Sequence, residues 1–100
     1  MKIKIQDETA HIIPQGSINL NNASDLENKF KKAIEKDVYN ITLNMKKVND
    51  IDSMAMGKIL ILQRKIKRED GKIIIKNINS ENVKEALEIV NLDEVVEIKD

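Results

Sequence analysis

The chain contains no cysteine, which removes disulfides, cysteine-based zinc sites and thiol catalysis together. It has one tyrosine, one phenylalanine and no tryptophan, so almost no ring is available for nucleic-acid bases to stack on. Seventeen basic residues balance seventeen acidic ones, and with zero formal net charge no long-range field gathers polyanions. Nucleic acid is therefore not expected as a partner. No apolar run approaches the roughly 20 residues that span a bilayer, and Met1-Lys2-Ile3-Lys4-Ile5 alternates where a secretory leader would be continuously apolar. No membrane partner is expected, and the cytoplasm is the expected location. The three glycines, Gly16, Gly57 and Gly71, stand apart. Neither a phosphate-binding loop nor a dinucleotide fingerprint is present, and no cofactor is expected.

A length of 100 residues with 41% hydrophobic content suits one compact domain spanning 1–100. Lys2 to Gln6 alternates with period two, Asp7-Glu8-Thr9 reads as a turn, and Ala10 to Pro14 completes a hairpin. Pro14 and Gly16 end that second strand. Ala23, Leu26, Phe30, Ala33 and Ile34 are spaced as one face of a helix that Asn22 can cap and that ends near Asp37. Ile41, Leu43 and Met45 predict a third strand, and a second helix runs from Ser53 or Met54 to Arg68, where Asp70-Gly71 breaks it. The triplet Ile73-Ile74-Ile75 reads as a strand buried on both faces, with helices above and below. A third helix capped near Asn79 or Ser80 carries Val83, Leu87 and Val90, Asn91 suits a left-handed C-terminal position, and Val95, Val96 and Ile98 predict a last strand. The order β-β-α-β-α-β-α-β argues for an α/β fold with parallel crossovers.

Within the second helix, Ala55, Ile59, Leu62 and Ile66 share one face with Met56 and Leu60 beside it. The opposite face carries Lys58, Lys65 and Arg68, and also Met54 and Ile61 at positions i and i+7. Such a pair is either ordinary scattered surface or a small docking stripe. Gly57, on the same outward side, favours docking because a residue without Cβ admits a partner's backbone. Asp50 and Asp52 precede the helix, where acidic residues suit the dipole. Without further ligands they are not expected to hold a metal. His11, the sole histidine, has no catalytic companion nearby, and no enzyme activity is expected.

Three ordered segments, Gly16 to Ala23, Asp52 to Gly57 and Lys72 to Leu92, together resemble the STAS domain family. Gly16-Ser17-Ile18-Asn19-Leu20-Asn21-Asn22-Ala23 looks like the family's Gly-Glu-Leu-Asp segment and the Asn/Thr-Ala that follows it. Asp52-Ser53-Met54-Ala55-Met56-Gly57 resembles the Asp-Ser-Ser-Gly-Leu-Gly phosphorylation motif, and Lys72 to Ile78 with the helix from Ser80 to Asn91 resembles the closing portion. The resemblance implies a single STAS-like domain with a mixed, mostly parallel sheet of about five strands and helices packed on it. It also implies the role of an anti-sigma factor antagonist, a transcription regulator whose unphosphorylated form binds an anti-sigma factor that is also a serine kinase and so frees a sigma factor. A serine phosphatase resets that cycle in the family. Met54 stands where the family's acceptor serine would be, and Asn19 where the family usually has aspartate. The switch is then either moved to Ser53 or absent, with constitutive binding through Met54. Ser53 itself reads either as a helix cap or as a phosphoacceptor. The partner-binding residues expected on this basis are Asn19, Asn21, Asn22, Asp52, Ser53, Met54, Gly57, Lys58 and Ile61. The alternative is a scaffolding domain of a larger signalling assembly, in which the same apolar stripe mediates self-association, as in a weak homodimer, or docking into that assembly.

Overall fold

Asp7 and Glu8 both adopt left-handed backbone, with φ of 53° and 65°, and so form the two-residue turn whose twist suits a hairpin. The strands it joins are β1 (Lys2–Gln6) and β2 (Thr9–Ile13), paired antiparallel. The computed structural model describes residues 1–99 and, within them, no position for the Asp93 side chain. After β2 the chain forms β3 (Gly16–Ile18), α1 (Ala23–Glu35), β4 (Asn40–Asn44), β5 (Val48–Ile51) and α2 (Ser53–Arg68). It continues through β6 (Lys72–Lys76), α3 (Glu81–Ile89), a 3-10 turn at Leu92–Glu94 and β7 (Glu97–Lys99). No helix among the described residues is long and apolar enough to cross a membrane.

The main sheet has the order β1-β2-β4-β6-β7, antiparallel only between β1 and β2. This is the mixed, mostly parallel five-stranded sheet expected. From β2 onward each parallel strand is added on the same side of the one before. Because parallel crossovers are right-handed, stepping always in one direction lays α1, α2 and α3 on a single face. The expectation of helices above and below β6 is therefore corrected: Ile73 and Ile75 are buried toward the helices, while Ile74 is only half-buried on the other face. On the covered face Ile12, Ile41, Leu43, Ile73 and Ile75 join Leu26 and Phe30 of α1 and Ile59, Leu62 and Ile66 of α2 in one core.

All three helices end on an aspartate or asparagine in the left-handed region, Asp37, Asp70 and Asn91, with φ between 56° and 59°. At α1 the Val38 amide donates to Ala33 and the Asp37 amide to Ile34. At α2 the Gly71 amide donates to Ile66 and the Asp70 amide to Lys67. These paired bonds satisfy carbonyls that a helix end otherwise leaves open. The short polar side chains of Asp and Asn tolerate that conformation, and Gly71 is left free for a different task. Asn91 takes the position expected of it, and of the two cap candidates for α3, Asn79 and Ser80, it is Ser80 that caps, accepting from the Val83 amide at 3.4 Å.

Two further expectations are revised. Val95 and Val96 are not in a strand: the 3-10 turn carries the chain past them, Val96 is buried and Val95 exposed, and only Glu97–Lys99 pairs with β6. Strands β3 and β5 were not expected. They pair parallel in a separate two-stranded sheet, Ser17 opposite Asp50 and Ile18 opposite Ile51, and α3 packs against β5.

In the first turn of α1, Asp25 accepts from Lys29 Nζ at 3.0 Å and from the Met1 ammonium at 3.1 Å. Both bonds, Lys29's the more strongly, hold its carboxyl below the usual carboxylate range against a smaller opposing effect of burial. A depressed folded pKa stabilises the protein above the unfolded value of about 4, and that stabilisation is lost as pH falls through the folded value. Urea unfolding should therefore find Asp25→Asn less stable than the parent chain at neutral pH, with the gap closing on acidification below about pH 4.

Candidate functional site

The small β3–β5 sheet carries the chain into one tip of the molecule from two directions. Ile18 and Ile51, both buried, lie opposite one another, so the loop after β3 and the start of α2 emerge side by side although more than thirty residues separate them. Asp52 joins them. Its amide donates to the Ile18 carbonyl at 3.0 Å, one carboxylate oxygen accepts from the Leu20 amide at 3.0 Å, and the other accepts from the Ala55 amide at 2.9 Å. The second of these bonds caps α2. Asp52 is thus the N-cap, and the reading of Ser53 as the cap is corrected: Ser53 is the first helical residue and is exposed.

The loop from Asn19 to Asn22 is held by its own asparagines. The Asn22 side chain accepts from the Asn19 amide at 2.8 Å and donates to the Ser17 carbonyl at 2.8 Å, and Asn19 Oδ1 accepts from the Asn21 amide at 2.9 Å. Asn22 occupies the N-cap position of α1 without capping it by its side chain, which turns back into the loop. That corrects the capping role expected for it and gives it a different one. Turn-forming bonds of this kind compete with helix capping for the same side-chain atoms.

The surface that results is mixed. Met54 and Ile61 are each 51% exposed on the outward face of α2, as the helical spacing required. Beside Asp52 sits Leu20, at 67% exposure. Sequence reasoning passed over Leu20 as a functional candidate, although its position between two asparagines in a polar run was the available signal. A Cβ on Gly57 would meet nothing within 4 Å, so the helix backbone is open to approach there. Lys58 is drawn aside: its Nζ lies 3.4 Å from Glu27 Oε2 on α1, and it ties α1 to α2. The amides of Ser53 and Met54, ahead of the Asp52-bonded Ala55 amide, have no intrahelical acceptor, and the helix dipole adds partial positive charge. The candidates Asn19, Asn21, Asn22, Asp52, Ser53, Met54, Gly57 and Ile61 therefore share one tip and the helix face leading from it.

His11 lies on β2, on the helix-free face of the sheet, away from this tip. No group of three His, Asp or Glu side chains that could hold a metal occurs among the described residues.

The family model of the STAS domain matches residues 1–100. A Thermotoga maritima protein named "Putative anti-sigma factor antagonist" is 30% identical over 98 residues, covering 97% of this chain and 86% of that protein. A crystal structure of a T. maritima protein of the same description superposes with a TM-score of 0.89 at 28% identity, covering 99% of this chain and 85% of that one. The Bacillus anti-sigma factor antagonist SpoIIAA, in its unphosphorylated form, shares the fold with a TM-score of 0.78 at 20% identity, covering 99% of this chain and 86% of that one.

Proposed function

Because the chain belongs to the STAS domain family, we propose that it is a single-domain, non-catalytic regulator that binds an anti-sigma factor in the cytoplasm and so frees a sigma factor. The observation that carries this reading is the Asp52 bridge. It fixes the Leu20 loop and the first turns of α2 as one surface, so that Leu20, Met54 and Ile61 form an apolar contact already organised before a partner arrives. A preorganised contact loses little conformational entropy on binding. The partner in this reading is an anti-sigma factor of the serine-kinase type.

With methionine at position 54 there is no hydroxyl at the family's usual acceptor, and binding is constitutive. The test is titration with candidate anti-sigma factors from its own genome. Met54→Asp and Leu20→Asp should each weaken the complex at least about tenfold, since each drives a charge into an apolar contact. Full affinity in both variants would remove the assigned surface.

A second reading is supported by the exposed Ser53, whose hydroxyl is spared from capping because Asp52 does that work. In it Ser53 is the phosphoacceptor, a serine phosphatase reverses the step, and the added charge of about −1.5 to −2 sits at a helix N-terminus that accommodates it while the interface fails. Intact mass after incubation with the cognate kinase and ATP decides: one added phosphate mapped to Ser53 establishes this switch, and none leaves constitutive binding.

A further inference from the structure

The charges of this electroneutral chain are not evenly spread. On the helix-free face of the main sheet, β1 presents Lys2 and Lys4, β6 presents Lys72 and Lys76, and β7 presents Lys99. The acidic side chain among the strand residues of that face is Glu97, 3.4 Å from Lys72 and 3.9 Å from Lys99. Lys2, Lys4 and Lys76 have no ion pair among the described residues. Between the lysine rows, the central strands β2 and β4 carry no acid or lysine on this face. Their side chains there include His11, Ile13 and Thr42, with Ile74 of β6 completing a partly apolar floor.

Strands spaced about 4.8 Å apart put β1 roughly 14 Å from β6, and a helix with its side chains is about 10–12 Å across. A helix laid on this face would therefore have lysines within reach on both sides.

The opposite charge lies on α3. Glu81, Glu85 and Glu88 line its outward face at helical spacing with Lys84 among them, all exposed, so the face keeps a net negative charge, and Ile89 beside them is 79% exposed. Glu81 and Glu88 are about 10 Å apart along the helix, and Lys72 and Lys76 about 13 Å apart along their strand.

We infer that the helix-free sheet face of one molecule receives the acidic outer face of α3 from a second copy, with Ile89 against the Ile74 floor. The second copy is favoured over an unrelated acidic protein because both complementary surfaces are present on this chain and zero net charge leaves no repulsion between copies. The contact joins two different patches, so it is head-to-tail and each molecule keeps one free end. It leaves the Leu20–Met54 tip unoccupied and does not depend on the function proposed for it.

Sedimentation of the intact protein tests this. The mass should rise above 11.4 kDa with concentration at low ionic strength and return to the monomer in about 0.5 M salt, as screening shortens the reach of the charges. Lys4→Glu/Lys76→Glu and Glu85→Lys/Glu88→Lys change exposed or half-exposed side chains that have no ion pair among the described residues, and unchanged thermal melting verifies their folding. Each variant alone should remain monomeric. Mixed, the two should associate, because the intact sheet face of one meets the intact α3 of the other and the two charge-reversed faces are again complementary. A parent chain that stays monomeric at low salt, or variants that self-associate as it does, would overturn the inference. So would a monomeric parent chain that instead binds an alanine-based helical peptide carrying glutamates at i, i+4 and i+7, which would assign the sheet face to a different acidic helix.

Discussion

Gly71→Ala should lower the unfolding free energy by about 3 kcal/mol, at the upper end of what overpacking by a methyl group costs, against a total of roughly 5–15 kcal/mol for a domain of this size. A Cβ at this position would overlap the Tyr39 carbonyl oxygen and come within 2.6 Å of Tyr39 Cβ. Neither side can yield easily. The Tyr39 carbonyl accepts from the Lys72 amide at 3.1 Å where β4 and β6 begin, and the Gly71 amide donates to the Ile66 carbonyl at 3.0 Å to close α2. Urea unfolding should show a lower midpoint with an unchanged slope. Gly57→Ala provides the contrast. Its Cβ meets open space in the middle of a helix, and removing backbone freedom there should stabilise the protein by about 0.5–1 kcal/mol. Loss of less than about 1 kcal/mol in Gly71→Ala would mean that the Tyr39 segment relaxes, contrary to the fixed contact described.

The same position shows where sequence patterns carry information and where they do not. Asp70-Gly71 was legible as a helix stop, but which residue does what was not. The aspartate takes the left-handed turn, and the glycine is required by a neighbour thirty-two positions away. Hydrophobic spacing located α1, α2 and α3, and it correctly turned Met54 and Ile61 outward. Period and spacing report a residue's relation to its own element. They are silent on pairings between distant segments, and strands β3 and β5 exist only through such a pairing. Gly16-Ser17-Ile18 and Val48-Asn49-Asp50-Ile51 are short and half polar, so neither carries a strand signal alone.

Missing that sheet hid the adjacency of Leu20 and Asp52, and with it the second bond of the Asp52 carboxylate. The one-sided covering of the main sheet was hidden for a related reason. Three consecutive isoleucines at Ile73–Ile75 fit burial on both faces, and only the unidirectional strand order puts every helix on one. Val95 and Val96 have strand character by composition, but the turn at Leu92–Glu94 sets where the chain rejoins β6.

Asp52 is the residue on which fold and proposed function converge, and its two oxygens can be separated by experiment. Asp52→Ala removes the cap of α2, which costs about 1 kcal/mol, and the bond to the Leu20 amide, which adds about 1.5 kcal/mol as a hydrogen bond to a charged acceptor. The exposure of the Leu20 bond keeps the total near 2–3 kcal/mol rather than higher. Asp52→Asn distinguishes the two contributions. Asparagine offers one acceptor oxygen, enough to cap the Ala55 amide, and places an NH2 group opposite the Leu20 amide, where two donors face each other. Stability should then fall by only about 1 kcal/mol while the loop is released from the helix. If the proposed interface depends on Leu20 and Met54 being held together, Asp52→Asn should weaken anti-sigma factor binding nearly as much as Asp52→Ala does, despite its smaller effect on unfolding. If binding instead follows stability across the two variants, Asp52 acts through the helix alone, and the Leu20 loop has no part in the contact.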